Sequence, residues 1–334
     1  MRLILILLLI PLALSAQVKS DDLRLFRSDT LLTLTLESNF GKILDNPTEQ
    51  EDRIDGIIEY EDTQGIKHKI KTNLEPRGGY RLAPSNCSFP PISLKFPEKN
   101  KGTLFEDVTK LKLVVHCRKA KRFEQYVAKE YLCYRFFNQL TDTSFRVRPA
   151  QIKYVNGPSG DTLYRRFGFF IERTRHLRAR NNVQEADDEN ITVKWLDDYQ
   201  AHRLSLFQYM IGNSDWSVYS GHNTKRVKSD GKHFAVPYDF DWSGFVNASY
   251  AVPHPKYQIK DVTERVYIGK EINKPVFRKV AEVFKQKKTV FIGMVEKCPF
   301  LDKKNKRRTI RYLDAFYERI ESEKKLNYFF FQRD

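Results

Sequence analysis

The chain has 334 residues, 41% hydrophobic and 30% charged, and its 58 Lys and Arg outnumber 42 Asp and Glu to leave a net charge of +16. That apolar content supports a packed core and excludes wholesale disorder; four cysteines exclude a disulfide-dense miniature scaffold, and the lack of a bilayer-length apolar run after the first 20 residues excludes a polytopic membrane protein. The basic balance favours anionic partners without choosing among them, and at about 150 residues per domain the length fits about two domains or lobes.

Arg2, an apolar run over 3–14 broken by Pro11, and the small residues Ala13, Ser15 and Ala16 follow the order of a secretory signal. The expectation is export, to the periplasm or beyond, with residues 1–16 removed and no transmembrane segment in the mature chain. Export permits disulfides. Cys87 and Cys117 each border a strand-like segment and are expected to pair, whereas Cys133, in a helical pattern, and Cys298, before Pro299, are expected to stay buried thiols. No Cys-x-x-Cys or His-x3-His spacing points to zinc.

Residues 31–36 alternate apolar and polar with period two, the mark of a half-buried strand. Strands are expected at 54–61 and 66–73 about the turn Asp62-Thr63-Gln64-Gly65, at 92–96 after Pro90-Pro91, and at 111–115. A helix follows at 122–140, with Phe123, Val127, Tyr134 and Phe137 at helical spacing. Glu130 falls inside that stripe, where a carboxylate needs a cationic or hydrogen-bonding partner, or an edge position in water. Two more strands are expected at 147–155 and 167–173, about a turn at 156–160. The polar stretch 178–191 reads as a lobe boundary or a loop. Helices are expected at 193–211, 275–297 and 308–325, with the cationic cluster at 303–308 solvating the start of the last one. Strands first and helices later indicate an α+β chain with segregated halves.

One segment stands apart. Ile211-Gly212-Asn213-Ser214-Asp215-Trp216 closes a helix and opens a loop, and Gly221-His222-Asn223 follows. After the turn Ser229-Asp230-Gly231 and the apolar strand Phe234-Ala235-Val236 comes Tyr238-Asp239-Phe240-Asp241-Trp242-Ser243-Gly244. Period two puts Asp239 and Asp241 on one side if extension persists. Oxygen-only donors of this kind suit Mg²⁺ or Mn²⁺, with substrate phosphates completing the shell. A base-like Asp, an Asn, then Asp-x-Asp and a Gly is the order in which phosphoryl-transfer sites orient an accepting hydroxyl and hold the metal that bridges the phosphates.

These elements resemble the secreted atypical kinase-like families, most closely the CotH spore-coat kinase group. Arg77-Gly78-Gly79, the Lys95 strand, the Glu130 helix and the Gly168-to-Glu172 strand are similar in outline to that group's upstream half. The resemblance covers about residues 75–250 and is more specific in its second part. It implies a bilobal, protein-kinase-like α+β fold, with a strand-rich N-lobe over 17–175 and a helical C-lobe over 176–334 carrying the active site. Residue by residue, it implies Asp215 as catalytic base and Asn223 as metal ligand. Asp239 and Asp241 compete for the second metal position, Asp241 being favoured. Lys95 would contact the nucleotide phosphates and pair with Glu130, Lys112 is its rival, and Arg77 would touch phosphates from the Gly78-Gly79 turn.

The implied activity is exported, Mg²⁺- or Mn²⁺-dependent transfer of a phosphate from ATP or another nucleotide to a protein or glycan hydroxyl. There are departures. The gap from Asp215 to Asn223 exceeds that of a His-Arg-Asp loop, His-Arg-Asp itself is absent, and no Gly-x-Gly-x-x-Gly covers the nucleotide. They leave open a catalytically inactive kinase-like envelope module that binds an anionic ligand or partner. A metal-dependent phosphoesterase using the same carboxylates and His222 is a third reading. No helix-turn-helix, zinc or basic-zipper pattern points to nucleic acid.

Overall fold

The computed structural model describes residues 22–45, 53–186 and 191–332. The signal-like residues 1–16 lie outside the described residues. Seven strands form the first part: β1 (Leu32–Ser38), β2 (Ile54–Glu61), β3 (Lys67–Pro76), β4 (Ile92–Lys95), β5 (Lys110–Val114), β6 (Val147–Asn156) and β7 (Thr162–Ile171). Two helices interrupt them, α1 (Phe40–Asp45) and α2 (Arg122–Asn138). After β7 come α3 (Thr174–Asn181), β8 (Gln184–Glu185), α4 (Asp198–Ile211), β9 (Thr224–Ser229), β10 (Lys232–Pro237), α5 (Lys274–Lys297), α6 (Lys303–Ile320) and α7 (Glu323–Leu326).

The first seven strands close into a mixed barrel in the order β1-β2-β3-β4-β5-β7-β6. This corrects the expectation of a bilobal, protein-kinase-like α+β fold with a strand-rich N-lobe. Every neighbouring pair is antiparallel except β1 with β6, which run parallel from Leu32↔Ala150 to Ser38↔Asn156 and shut the sheet on itself. Closure removes the unpaired edges that an open sheet would have to protect. The alternation seen in the sequence turns Leu32, Leu34 and Leu36 inward with Ile58, Ile70, Leu94, Leu111, Leu113, Ile152 and Phe170. Each such side chain contributes about 1.5–3 kcal/mol on full burial. Gly168 lets β7 lie close to β5, since a Cβ there would sit 2.8 Å from the Val114 carbonyl oxygen.

α2 lies between the barrel and the later helices and buries most of its circumference, as a helix caught between layers must. Phe136 packs on Phe245 and Phe291, Phe137 on Phe207, and Tyr134 on Phe169 and Phe240. α4 opens with Asp197, whose side chain accepts from the Tyr199 and Gln200 amides. It closes at Gly212, with φ +61°. Within the stretch 178–191, expected as a boundary or loop, residues 178–181 belong to α3 and 184–185 form β8, while 187–190 lie outside the described residues. Buried His176 and Leu177 and the Arg180–Glu172 ion pair at 2.9 Å hold that helix in place. Cys87 and Cys117 form a disulfide, and Cys133 and Cys298 are buried free thiols. Among the described residues no helix is long and apolar enough to cross a membrane.

Candidate active site

A cleft of about 270 Å³ opens where the β3–β4 loop, β5, α2, the end of β7 and the β9–β10 hairpin meet. Four sequence-predicted residues line it: Arg77, Lys112, Glu130 and Asp239. So do Arg81, Arg173, Arg175, Lys225, Tyr134 and Tyr238, which sequence reasoning did not single out. Strand pleating explains Lys112. Leu111 and Leu113 point into the barrel with no exposure, so Lys112 points out, over the cleft. Arg77 follows the last residue of β3, and Gly78 adopts φ +107°, which only glycine accommodates freely, to turn the chain behind it.

Lys95 does not meet Glu130. It pairs across β3 with Asn73 and across β5 with Lys110, one pleat beyond the Ser93↔Lys112 pair, and its ammonium binds Glu75. Lys110 reaches the same carboxylate at 3.4 Å. The register therefore decides between the rival lysines: Lys112 shares the cleft with Glu130, and Lys95 belongs to an ion cluster on the barrel's outer face.

Among the described residues, Arg77, Lys112, Arg173 and Lys225 make no ion pair. Burial lowers the Lys112 pKa to about 8; Arg77, Lys225 and Arg173 push the same way, and Asp239 opposes them. Burial also lowers the Arg77 pKa, against the pull of Asp239. The Lys112 and Lys225 ammoniums lie 5.3 and 5.4 Å from the centroid of the Tyr238 ring, within cation–π range. Such a group of cations, desolvated and mutually repelling, is stabilised by a polyanion.

The acidic side of the site is buried as well. Glu130 is 2% exposed, and burial, followed by the Asp241 charge, raises its pKa well above the ordinary range. Burial likewise raises the Asp241 pKa to about 6, with Arg81 pulling it down and Asp239 and Asp215 adding to the rise. Asp241 Oδ2 accepts a 2.9 Å hydrogen bond from the Tyr250 hydroxyl and lies 3.7 Å from Arg81 Nε. Asp239 takes φ +62°, and its backbone N–H donates to the Tyr134 hydroxyl at 2.9 Å. The left-handed residue breaks the extension that would have kept Asp239 and Asp241 in simple alternation.

Asp215 and Asn223 are in direct contact. The bridge between Ser217 and His222 doubles the loop back, and Asn223, at φ +50°, donates to the Asp215 carbonyl at 2.8 Å and to its Oδ2 at 3.0 Å. His222 Nε2 lies 2.8 Å from Asp215 Oδ1. Asn213, 2% exposed, accepts from the Asp215 amide at 3.0 Å and so fixes the start of the loop. The Asn223 carbonyl accepts from the Tyr238 amide at 3.0 Å, which joins the loop to the Asp239 segment. A carboxylate held from both sides and partly open to solvent suits a hydrogen-bond acceptor for an incoming hydroxyl.

Among the described residues, no group of three or more His, Cys, Asp or Glu is arranged to hold a metal ion. A Mg²⁺ ion that arrives with phosphates needs only one or two protein carboxylates. Asp239 lines the cleft, and Asp241 commits only Oδ2 to its described partners. With Asn223, these oxygens suit a hard divalent ion carried in by a phosphate ligand. A larger groove, about 880 Å³, runs along β1, β2 and β6; it holds the His68–Asp62 and Lys69–Glu59 pairs at 2.7 and 3.0 Å, and also Lys67, Arg148, Lys153 and Arg165, which make no ion pair among the described residues. The smaller cleft differs in setting its unpaired cations beside the carboxyl groups of Glu130 and Asp239.

No family model matches the chain, and no curated protein sequence matches it. Among solved structures it is similar to the proinflammatory kinase CtkA of Helicobacter pylori, with a TM-score of 0.41 and 9% sequence identity over 74% of this chain and 91% of that one. At that level the likeness carries no argument about chemistry, and nothing in it is particular to the CotH group.

Proposed function

We propose that the cleft binds the phosphates of a nucleotide, such as ATP, with Mg²⁺ or Mn²⁺, and passes one phosphoryl group to a protein or glycan hydroxyl outside the cytoplasm. The observation that carries this reading is the convergence of four unpaired cations on one cleft beside the hydrogen-bonded Asp215–Asn223 pair. Arg77, Lys112 and Lys225 neutralise phosphate oxygens and orient them. Asp215, steered by His222 and Asn223, accepts a hydrogen bond from the acceptor hydroxyl. It takes that proton as the new P–O bond forms and the bond to the departing phosphate oxygen breaks. Asn223, Asp239 and Asp241 would hold the divalent ion, whose contribution is to neutralise charge on the phosphates. Glu130 lines the same cleft, where burial favours its neutral form.

The test is transfer of label from γ-labelled ATP to the chain itself or to an added protein acceptor, with Mg²⁺ and with Mn²⁺. Metal-dependent transfer that disappears in Asp215→Ala supports the proposal. Transfer that persists in that variant overturns the role of Asp215. One observation favours a second reading, a module that binds an anion without chemistry: Asp241 is already met by Arg81 and Tyr250. Stabilisation by phosphorylated ligands in EDTA, with no transfer in either metal, selects that module.

A further inference from the structure

The loop from residue 77 to 91, between β3 and β4, brings Arg77 and Arg81 to the cleft, yet its only regular structure is the short turn Tyr80–Leu82. A long irregular surface segment is ordinarily mobile. This one is fastened at its far end. Cys87 is bonded to Cys117, Phe89 N donates to the Cys117 carbonyl at 3.0 Å, and Arg118 donates to the Asn86 and Ser85 carbonyls at 3.1 and 2.6 Å. Cys117 and Arg118 lie in the link between β5 and α2, the elements that present Lys112 and Glu130. The bridge is buried with Phe123, against Tyr126 and Tyr250, and Tyr250 is the residue bonded to Asp241. The near end is fastened by Arg81 on Asp241.

We infer that the Cys87–Cys117 bridge, with Arg118, is a positioning device for the anion site. It joins the arginine loop to the connection between the Lys112 strand and the Glu130 helix, so that Arg77 stands over the cleft before any anion arrives. The inference rests on the reading of the cleft as a polyanion site. Holding a charged group ready removes an ordering cost from binding, and misplacing one by about 1 Å weakens its effect by up to about 100-fold.

Binding of inorganic pyrophosphate to the oxidised full-length chain, measured by calorimetry, tests it. The Cys87→Ala/Cys117→Ala variant is expected to keep its circular dichroism and to bind on the order of 10- to 100-fold more weakly. Trp242 emission should shift with it, because Tyr80 on the loop packs 5.5 Å from that ring. In an Arg77→Met background the same double substitution should cost less than about twofold, since the group it positions is gone. Arg118→Gln, which keeps the bridge, should give a smaller loss, and it carries the test if the cysteine variant does not fold. Unchanged affinity in a folded bridge-free variant, or an equal loss in the Arg77→Met background, overturns the inference. Failure of the wild-type chain to bind pyrophosphate overturns the polyanion reading itself, and the inference with it.

Discussion

The outer face of β3 and β4 and the cleft wall formed by β5 and the end of β7 use the same cationic residue types to opposite effect. On the outer face, Lys95 and Lys110 converge on Glu75, and Lys71 meets Glu98 at 3.2 Å. In the cleft, Arg77, Lys112, Arg173 and Lys225 have no such partner among the described residues. Partly exposed ion pairs contribute about 0–1 kcal/mol and are already satisfied. Unpaired, desolvated cations cost stability and repay it only when an anion binds. Under the proposed function, the contrast separates charge that is satisfied within the barrel from charge that a ligand would satisfy.

The largest expected effect concerns chemistry rather than charge. Asp215→Ala should lower phosphotransfer by roughly 10²- to 10⁴-fold while nucleotide affinity stays within about threefold, as removal of a general base does. A single-turnover assay beside calorimetry separates the two. Next comes the direct contrast between the two lysines. Lys112→Met should weaken nucleotide binding by about 10- to 100-fold, the worth of a charge-assisted hydrogen bond. Lys95→Met should change binding by less than about twofold and stability by less than about 1 kcal/mol. Equal losses in the two variants would erase the distinction.

Three buried groups give smaller effects with pH, two of one sign and one of the other. The Asp241 pKa is raised to about 6 from 3.8 by burial. Between those values the folded chain holds a proton that the unfolded chain has lost, so this group removes stability as pH rises toward 6. Glu130 is raised in the same direction. Glu130→Gln should therefore increase thermal stability at pH 7 to 8 and leave less change at pH 4.

His116 behaves in reverse. It has no exposure, it stacks on Phe89 at 4.7 Å, and neither ring nitrogen has a hydrogen-bond partner. Burial lowers its pKa to about 3 from 6.5, with the Arg166 charge adding to the effect. Its neutral form favours the folded state above pH 6.5, and that stability is lost as pH falls toward 3. His116→Phe should raise stability at pH 5 by about 2 kcal/mol relative to its effect at pH 8. Denaturant melts at the two pH values read this out, and a parallel shift at both would remove His116 as the cause.

Several features of the site were legible because they are local. Pleating put Lys112 opposite Leu111 and Leu113, and helical spacing put Glu130 in a buried stripe. Gly212 marked the end of α4, and the pairing of Cys87 with Cys117 was foreseen. The choice between Lys95 and Lys112 was not legible, because both satisfy period two and only the β4–β5 register tells which one reaches the cleft. Arg81, Arg173 and Lys225 gave no signal among 58 basic residues. Arg173, just past the end of β7, is the one that strand-end position alone could have flagged. β9 was missed because Val227 is its only buried hydrophobic residue.

By itself, the order of amino acids determined the periods, turns and caps, because backbone sterics and side-chain alternation act over a few residues. It also determined the excess of positive charge. Tertiary structure alone decided that β1 lies parallel to β6 and closes a barrel, since that pairing joins segments more than a hundred residues apart with no turn to announce it. It likewise decided which cations lose their partners. An ion pair is a matter of a few ångströms between distant parts of the chain, and no local pattern encodes that distance.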